Sequence, residues 1–166
     1  MSNIILEGKH LKKTYRLGKA SVPVLYDATL QVTQGQWVTV LGSSGSGKST
    51  VLHLLGGLDR PDKENGGEVL FRDESIWQQS NRRINKYRNK DIGFVFQSHH
   101  LLPQISVIEN VMLPNLASSA PIEQSECSNR AIQLLESVGM ADHANKMPSE
   151  ISGGEMQIVA LLRAIQ

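Results

Sequence analysis

The residues best suited to chemistry lie in one stretch, Gly42, Ser43, Ser44, Gly45, Ser46, Gly47, Lys48, Ser49 and Thr50, which meets the pattern G-x-x-x-x-G-K-[ST]. Small side chains let successive backbone N–H groups turn inward on an anion. The first turn of a following helix adds unpaired N–H groups of its own and the positive end of its dipole. Lys48 is placed to reach the β- and γ-phosphates of a nucleoside triphosphate, and the Ser49 hydroxyl is an oxygen donor for Mg²⁺, a hard cation that keeps several waters. A flexible linker has a similar Gly/Ser composition. Linkers, however, are not flanked by a β-prone run, here Trp37–Leu41, and a helix-compatible one, here Lys48–Leu55.

Other candidates say less by themselves. Ser152, Gly153 and Gly154 precede Glu155 and a helical run to Gln166, so they form a second helix N-terminus able to face an anion, although such a triplet is as often a plain turn. Gln97 ends the run DIGFVFQ and offers one acceptor and two donors, suited to a metal ion or an ordered water. Tyr15, ahead of the phosphate loop, fits stacking on a nucleobase and an ordinary half-exposed strand position equally well. Val69–Glu74 (VLFRDE) imitates an apolar strand ending in a metal-binding Asp and a basic Glu. Only three apolar residues precede Arg72, and the run follows a turn too closely for a buried central strand, so a surface turn is the better reading. His99 and His100 lack Cys or carboxylate partners at ligand spacing. Asn81–Lys90 is strongly basic; a solvated helix face is the default, with nucleic acid or acidic lipid headgroups as the functional alternative. Cys127 sits among Ser, Glu and Gln with no sign of activation, and one cysteine excludes an internal disulfide.

The elements that must position these residues follow from periodicity. Asn3–Leu11 and Val22–Val32 read as strands around the turn-prone Leu17–Ser21, and Trp37–Leu41 as the strand feeding the phosphate loop. Asp59–Gly67 is a turn cluster with Asn65-Gly66 as a hairpin signal, followed by a strand over Glu68–Arg72. Asp91–Gln97 reads as a buried strand. Ile105–Ala117 and Asn129–Val138 have helical spacing, with Gly139 as a C-cap and Pro103, Pro114 and Pro121 as punctuation. The expected organisation is a nucleotide-binding α/β core over residues 1–98 and a helical part over 99–166. In 166 residues, 40% hydrophobic and 20% charged, there is room for a sizeable core, and a formal charge of +1 gives no argument for a nucleic-acid or a membrane surface, so no nucleic-acid partner is expected. No run approaches the roughly 20 apolar residues of a membrane span. A cytoplasmic location is expected, with any spanning helices supplied by another chain.

In this order, a phosphate loop, a strand ending in Gln, a helical insertion and ISGGE resemble the ATP-binding subunit of ABC transporters over the whole chain. Gly42–Thr50 matches that family's Walker A, Gln97 its Q-loop, and Ile151–Gln157 its signature motif. The texts VLHLLGGLDRP, FVFQSHHLLP and PSEISGGE look like its lipoprotein-releasing branch. The resemblance implies an α/β fold of the P-loop NTPase type with an N-terminal antiparallel β part and a helical insertion. It also implies ATP and Mg²⁺ as cofactors, with Ser49 and Gln97 as metal ligands and Tyr15 stacked on adenine. Ser152, Gly153, Gly154 and Glu155 would face the ATP of a partner subunit, in a head-to-tail homodimer or a pair with a second ATPase subunit. Integral-membrane transporter subunits would be further partners, with this chain peripheral on the cytoplasmic face of the inner membrane.

Two departures stand out. Ile151 replaces the signature's Leu, and Ile158 stands where an Arg is usual. The family's Walker B strand, catalytic Glu, D-loop and switch His, which follow the signature, have no counterpart, so the fold is expected to be incomplete at its C-terminal side and no catalytic residue is identified. A non-hydrolysing nucleotide-binding module that pairs with or regulates an intact ATPase is the alternative function. A small-molecule kinase needs the phosphate loop but has no use for ISGGE.

Overall fold

The computed structural model describes residues 3–116 and 123–166; Ala117 and Pro121 lie outside them. The chain forms two compact units, Met1–Arg88 and Asn89–Gln166. Gln97 therefore belongs to the second, helical unit, ahead of the boundary expected at 98/99.

In the first unit β1 (Ile4–Leu17) and β2 (Ala20–Thr33) form a long antiparallel hairpin turning at Gly18-Lys19, where the sequence placed Leu17–Ser21. β3 (Glu68–Phe71) pairs with β1 and β4 (Glu74–Ser75) with β3, giving an antiparallel sheet of order β2-β1-β3-β4. Arg72 and Asp73, between β3 and β4, both have positive φ, the backbone of a tight two-residue hairpin turn. This settles Val69–Glu74 as a surface hairpin. The helix α1 (Lys48–Leu55) lies on β1 and β2, and Val51, Leu54 and Leu55 of the helix are buried, as are Leu11 of β1 and Leu25 of β2. The basic run is shorter as a helix than expected. After α2 (Asn81–Lys86) the backbone widens into a π-turn over Tyr87–Asp91.

Two expected strands are not formed. Trp37–Leu41 carries no ladder, and its side chains are open, with Trp37 97% and Leu41 85% exposed. Asp91–Gln97 likewise joins no sheet among the described residues. Both have the composition of parallel strands buried on two faces. Such strands are stable only with hydrogen-bonded neighbours on either side, and the sheet of the described residues is wholly antiparallel.

The second unit is helical: α3 (Val107–Leu116), α4 (Gln124–Ser137) and α5 (Gly153–Ile165). Val107 and Val111 from α3, Ala131 and Leu135 from α4, and Val159 and Leu162 from α5 meet in one apolar cluster that also encloses Cys127 and Ile151. Ile158 packs on the same cluster, which gives its apolar side chain a structural role at a position where the family favours a charge. Gly139 follows the α4 C-cap, and its N–H bonds the Glu136 carbonyl at 3.0 Å.

Candidate nucleotide-binding site

The phosphate loop runs from Gly42 directly into α1. The first helical bond joins Val51 N–H to Gly47 O at 2.9 Å, so the N–H groups of residues 48–50 lie ahead of the helical ladder. Gly47 is the N-cap, with φ 89° and no side-chain cap, and no acidic residue occupies the first turn. A Cβ at Gly47 would sit 2.8 Å from Leu25 Cδ2 and 3.2 Å from the Val24 carbonyl of β2, so glycine is required both by conformation and by space. Lys48 Nζ donates to the carbonyls of Gly42 at 3.0 Å and Ser43 at 2.5 Å, and reaches Ser46 Oγ at 3.4 Å. The ammonium is thus held over the loop that its backbone outlines. Ser43, Ser44, Gly45, Ser46 and Ser49 are exposed, and Thr50 is buried behind them.

Tyr15 comes to this loop from β1. Its hydroxyl donates to Asp59 Oδ2 at 2.9 Å and lies near Thr50 in the first turn of α1. Lys13 holds the other Asp59 oxygen at 2.6 Å, donates to Arg60 O at 2.7 Å, and stands 5.1 Å from the Tyr15 ring centroid. Burial and the Asp59 carboxylate raise the Tyr15 phenol above its ordinary range. Burial works to raise Asp59 as well, but hydrogen bonds from Lys13, Tyr15 and the Arg60 N–H outweigh it and hold the carboxyl low. Lys13 and Asp59 escaped sequence reasoning, since a charged residue on a strand and another in a turn cluster carry no local signal of a pair.

Mg²⁺ suits this loop by its chemistry. Among the described residues no cluster of three His, Cys, Asp or Glu side chains could hold a metal ion, so an ion here would rest on the Ser49 hydroxyl, phosphate oxygens and water, the coordination Mg²⁺ prefers.

The second unit brings the signature residues together with others not singled out from sequence. Ser152 caps α5: its Oγ accepts from Glu155 N–H at 3.3 Å, and Glu155 Oε2 accepts from Ser152 N–H at 2.7 Å. These bonds to Ser152, helped by the nearby Lys146 charge, pull the Glu155 carboxyl below its usual range. His143 Nε2 meets Glu155 Oε1 at 3.2 Å. Gly153 and Gly154 are exposed at the helix start, with open space where a Cβ would project. Gln97 is exposed, and the carbonyls of His99 and His100 just after it are clasped by the guanidinium of Arg163 from α5, each at 2.8 Å. Asn110, fully buried, accepts from Leu102 N–H at 2.8 Å and donates to the carbonyls of Leu102, Ile105 and Ser106. A polar residue in an otherwise apolar register was the one available hint of Asn110. Arg163 had none.

The model of the ABC transporter family matches residues 25–166. The chain belongs to the ABC transporter family. It is 42% identical over 161 residues to an uncharacterized ABC transporter ATP-binding protein of Thermotoga maritima, covering 97% of this chain and 67% of that one. It is 40% identical to the lipoprotein-releasing system ATP-binding protein LolD of a Shewanella species, over 99% of this chain and 69% of the relative. With LolD of Xanthomonas oryzae pv. oryzae the identity is 44%, over 97% and 64%. The chain thus spans about two thirds of the length of these ABC relatives. The dimeric structure of the ATP-binding cassette MJ0796 in a post-hydrolysis state bound to ADP and Pi superposes with a TM-score of 0.85 at 34% identity, covering 97% of this chain and 69% of that one. A second dimeric MJ0796 structure gives 0.86. The ABC ATPase fold class expected from sequence, with an antiparallel β part and a helical portion, is the one observed, and the chain is an ABC transporter ATP-binding subunit resembling LolD.

Proposed function

We propose that the chain binds Mg²⁺-ATP at Gly42–Thr50 with the adenine on Tyr15, as the nucleotide-binding part of a transporter for export or lipoprotein release. The observation that carries this reading is Lys48 Nζ held over the Gly42 and Ser43 carbonyls at the mouth of a helix with no acidic first turn. Bound phosphates draw Lys48 off those carbonyls into a charge-assisted contact, while the N–H groups ahead of the α1 ladder donate to the same oxygens. Mg²⁺ supplies charge neutralisation of the β- and γ-phosphates, and Ser49 is the residue placed to orient it. Ser152, Gly153 and Gly154 would serve a second subunit's ATP. The dimeric cassette MJ0796 supports pairing of two copies, and the LolD relatives support membrane subunits as partners on the cytoplasmic face. Among the described residues no helix is long and apolar enough to cross a membrane.

Lys48→Ala removes the charge-assisted contact, worth roughly 1.5–3 kcal/mol or about ten- to hundredfold in affinity. Titration with a fluorescent ATP analogue reads it directly. Unchanged affinity in the variant would sink the assignment.

Binding without turnover by the 166-residue chain is the second reading, favoured by Asp59. This carboxylate reaches the Tyr15–Thr50 corner of the loop but is committed to Lys13 and Tyr15, so it is not free to orient water. A phosphate-release rate on the order of 1 per second or more, lost in Lys48→Ala, would refute it.

A further inference from the structure

The short helix α2 and the turn after it turn a row of cations outward. Arg82, Arg83, Lys86 and Arg88 are exposed, whereas Ile84 and Tyr87 are buried. The i, i+3 spacing of those two anchors places them on one face and the cations around the rest. The anchoring is firm: the Tyr87 hydroxyl donates to Leu55 O at 2.6 Å, its ring lies 5.1 Å from that of Phe71, and Ser80 caps the helix. Arg72, exposed over the Phe71 ring at 5.0 Å, adds a cation beside them, with Asp73 and Glu74 as the acids of the same hairpin. Arg83 leans on Glu74 at 3.5 Å; Arg82 and Lys86 have no carboxylate at ion-pair distance among the described residues.

The concentration is local. Residues 81–90 carry five Lys or Arg and no Asp or Glu, leaving twelve basic against sixteen acidic residues in the rest of a chain whose total charge is +1. Residues 8–19 hold a second acid-free run of five Lys or Arg, but there Lys9 pairs with Glu7 and Lys13 with Asp59, so the α2 face is the denser row of cations and the stronger attractor of polyanions. The helix, six residues long, is too short to lie along a nucleic-acid groove, and the Tyr87 ring beneath it is buried and not available to stack bases. A plane of anionic headgroups needs neither.

We propose that the exposed face of α2 docks on anionic phospholipid headgroups, orienting the chain against the membrane that carries its transporter partners. The inference rests on the membrane-partnered reading above but needs no transporter subunit for its test. Co-sedimentation of the 166-residue chain with vesicles of phosphatidylglycerol and phosphatidylcholine, against vesicles of phosphatidylcholine alone, measures it at low and high salt. Binding is expected only to the anionic vesicles and is lost as salt rises. Each basic residue near such a surface gives roughly a fivefold gain in partitioning, so Arg82→Glu with Lys86→Glu is expected to lower binding at least about 25-fold. The charge-matched pair Arg16→Glu with Lys19→Glu, at the β1–β2 turn, is expected to keep most of it. All four positions are exposed, so circular dichroism of each variant should match the parent. Loss of binding equal in both double variants would reduce the effect to net charge and overturn the proposal. So would failure to bind anionic vesicles, or a single-stranded oligonucleotide that outcompetes them. Nucleotide titration of the α2 variant separates the two claims: unchanged ATP affinity leaves the nucleotide site standing, whichever way the lipid result falls.

Discussion

Replacing Gly47 by Ala tests the phosphate loop more sharply than any charge change, because Gly45 provides an internal control. Both glycines have left-handed backbones, φ 89° and 79°, so a Cβ costs roughly 1–2 kcal/mol at either position from conformation alone. At Gly45 nothing lies within 4 Å of the added methyl. At Gly47 it meets Leu25 Cδ2 at 2.8 Å, the Val24 carbonyl at 3.2 Å and Val24 Cγ1 at 3.3 Å. Leu25 is buried and the carbonyl belongs to β2, so neither yields freely, and overpacking of this kind adds about 1–3 kcal/mol. Gly47→Ala is therefore expected to cost about 2–5 kcal/mol and Gly45→Ala only about 1–2, the difference being the overlap. Urea unfolding at constant m-value reads both as midpoint shifts. Gly47→Asn adds discrimination: Asn tolerates positive φ better, yet its Cβ meets the same atoms, so it should remain nearly as damaging as Ala. Equal midpoints for Gly45→Ala and Gly47→Ala would refute the claim that β2 holds the start of α1 in place by contact.

Three further outcomes follow from the same geometry. Asn110→Ala removes the side-chain acceptor of Leu102 N–H and the side-chain donor to the Ile105 carbonyl in a fully buried place, while the Leu102 and Ser106 carbonyls keep backbone N–H partners, and should destabilise the second unit by about 1–3 kcal/mol, with faster amide hydrogen exchange over residues 101–106; unchanged exchange there would contradict the network. Because the folded Glu155 carboxyl is held below its ordinary value of 4.5, its contribution is present above that pH and is lost as pH falls through the folded value, so thermal unfolding of Glu155→Ala should lie below the parent at pH 7 and converge with it on acidification; a gap that persists to low pH would remove the capping account. Trp37 and Leu41 are open to solvent, so Trp37→Ser with Leu41→Ser should reduce binding of a hydrophobic dye and improve solubility, and unchanged dye fluorescence would show that the 37–41 segment is covered in solution.

How much was legible beforehand depends on how local the controlling physics is. Glycines with a lysine and serine at fixed spacing specify a turn, an N-cap and a cation, all within one stretch of nine residues, and the loop takes that form. The capping box at Ser152 and Glu155 is likewise set by a three-residue interval, and the β1–β2 hairpin by alternation around Gly18. The two failures concern partners rather than propensity. Trp37–Leu41 and Asp91–Gln97 are as apolar and β-prone as buried strands should be, but a strand exists only where another backbone supplies hydrogen bonds, and sequence pattern says nothing about whether that neighbour is present. Long-range polar contacts were hidden for a related reason. Lys13 meets Asp59 and Arg163 meets the His99 and His100 carbonyls across dozens of residues, and only the packing of helices and strands decides which charge finds which acceptor. The sequence alone determined the phosphate loop, its helix and the caps, because each is closed by atoms a few residues apart. The tertiary structure decided which strands pair and which side chains hold Tyr15 and the segment after Gln97, because those bonds depend on where distant backbone comes to rest.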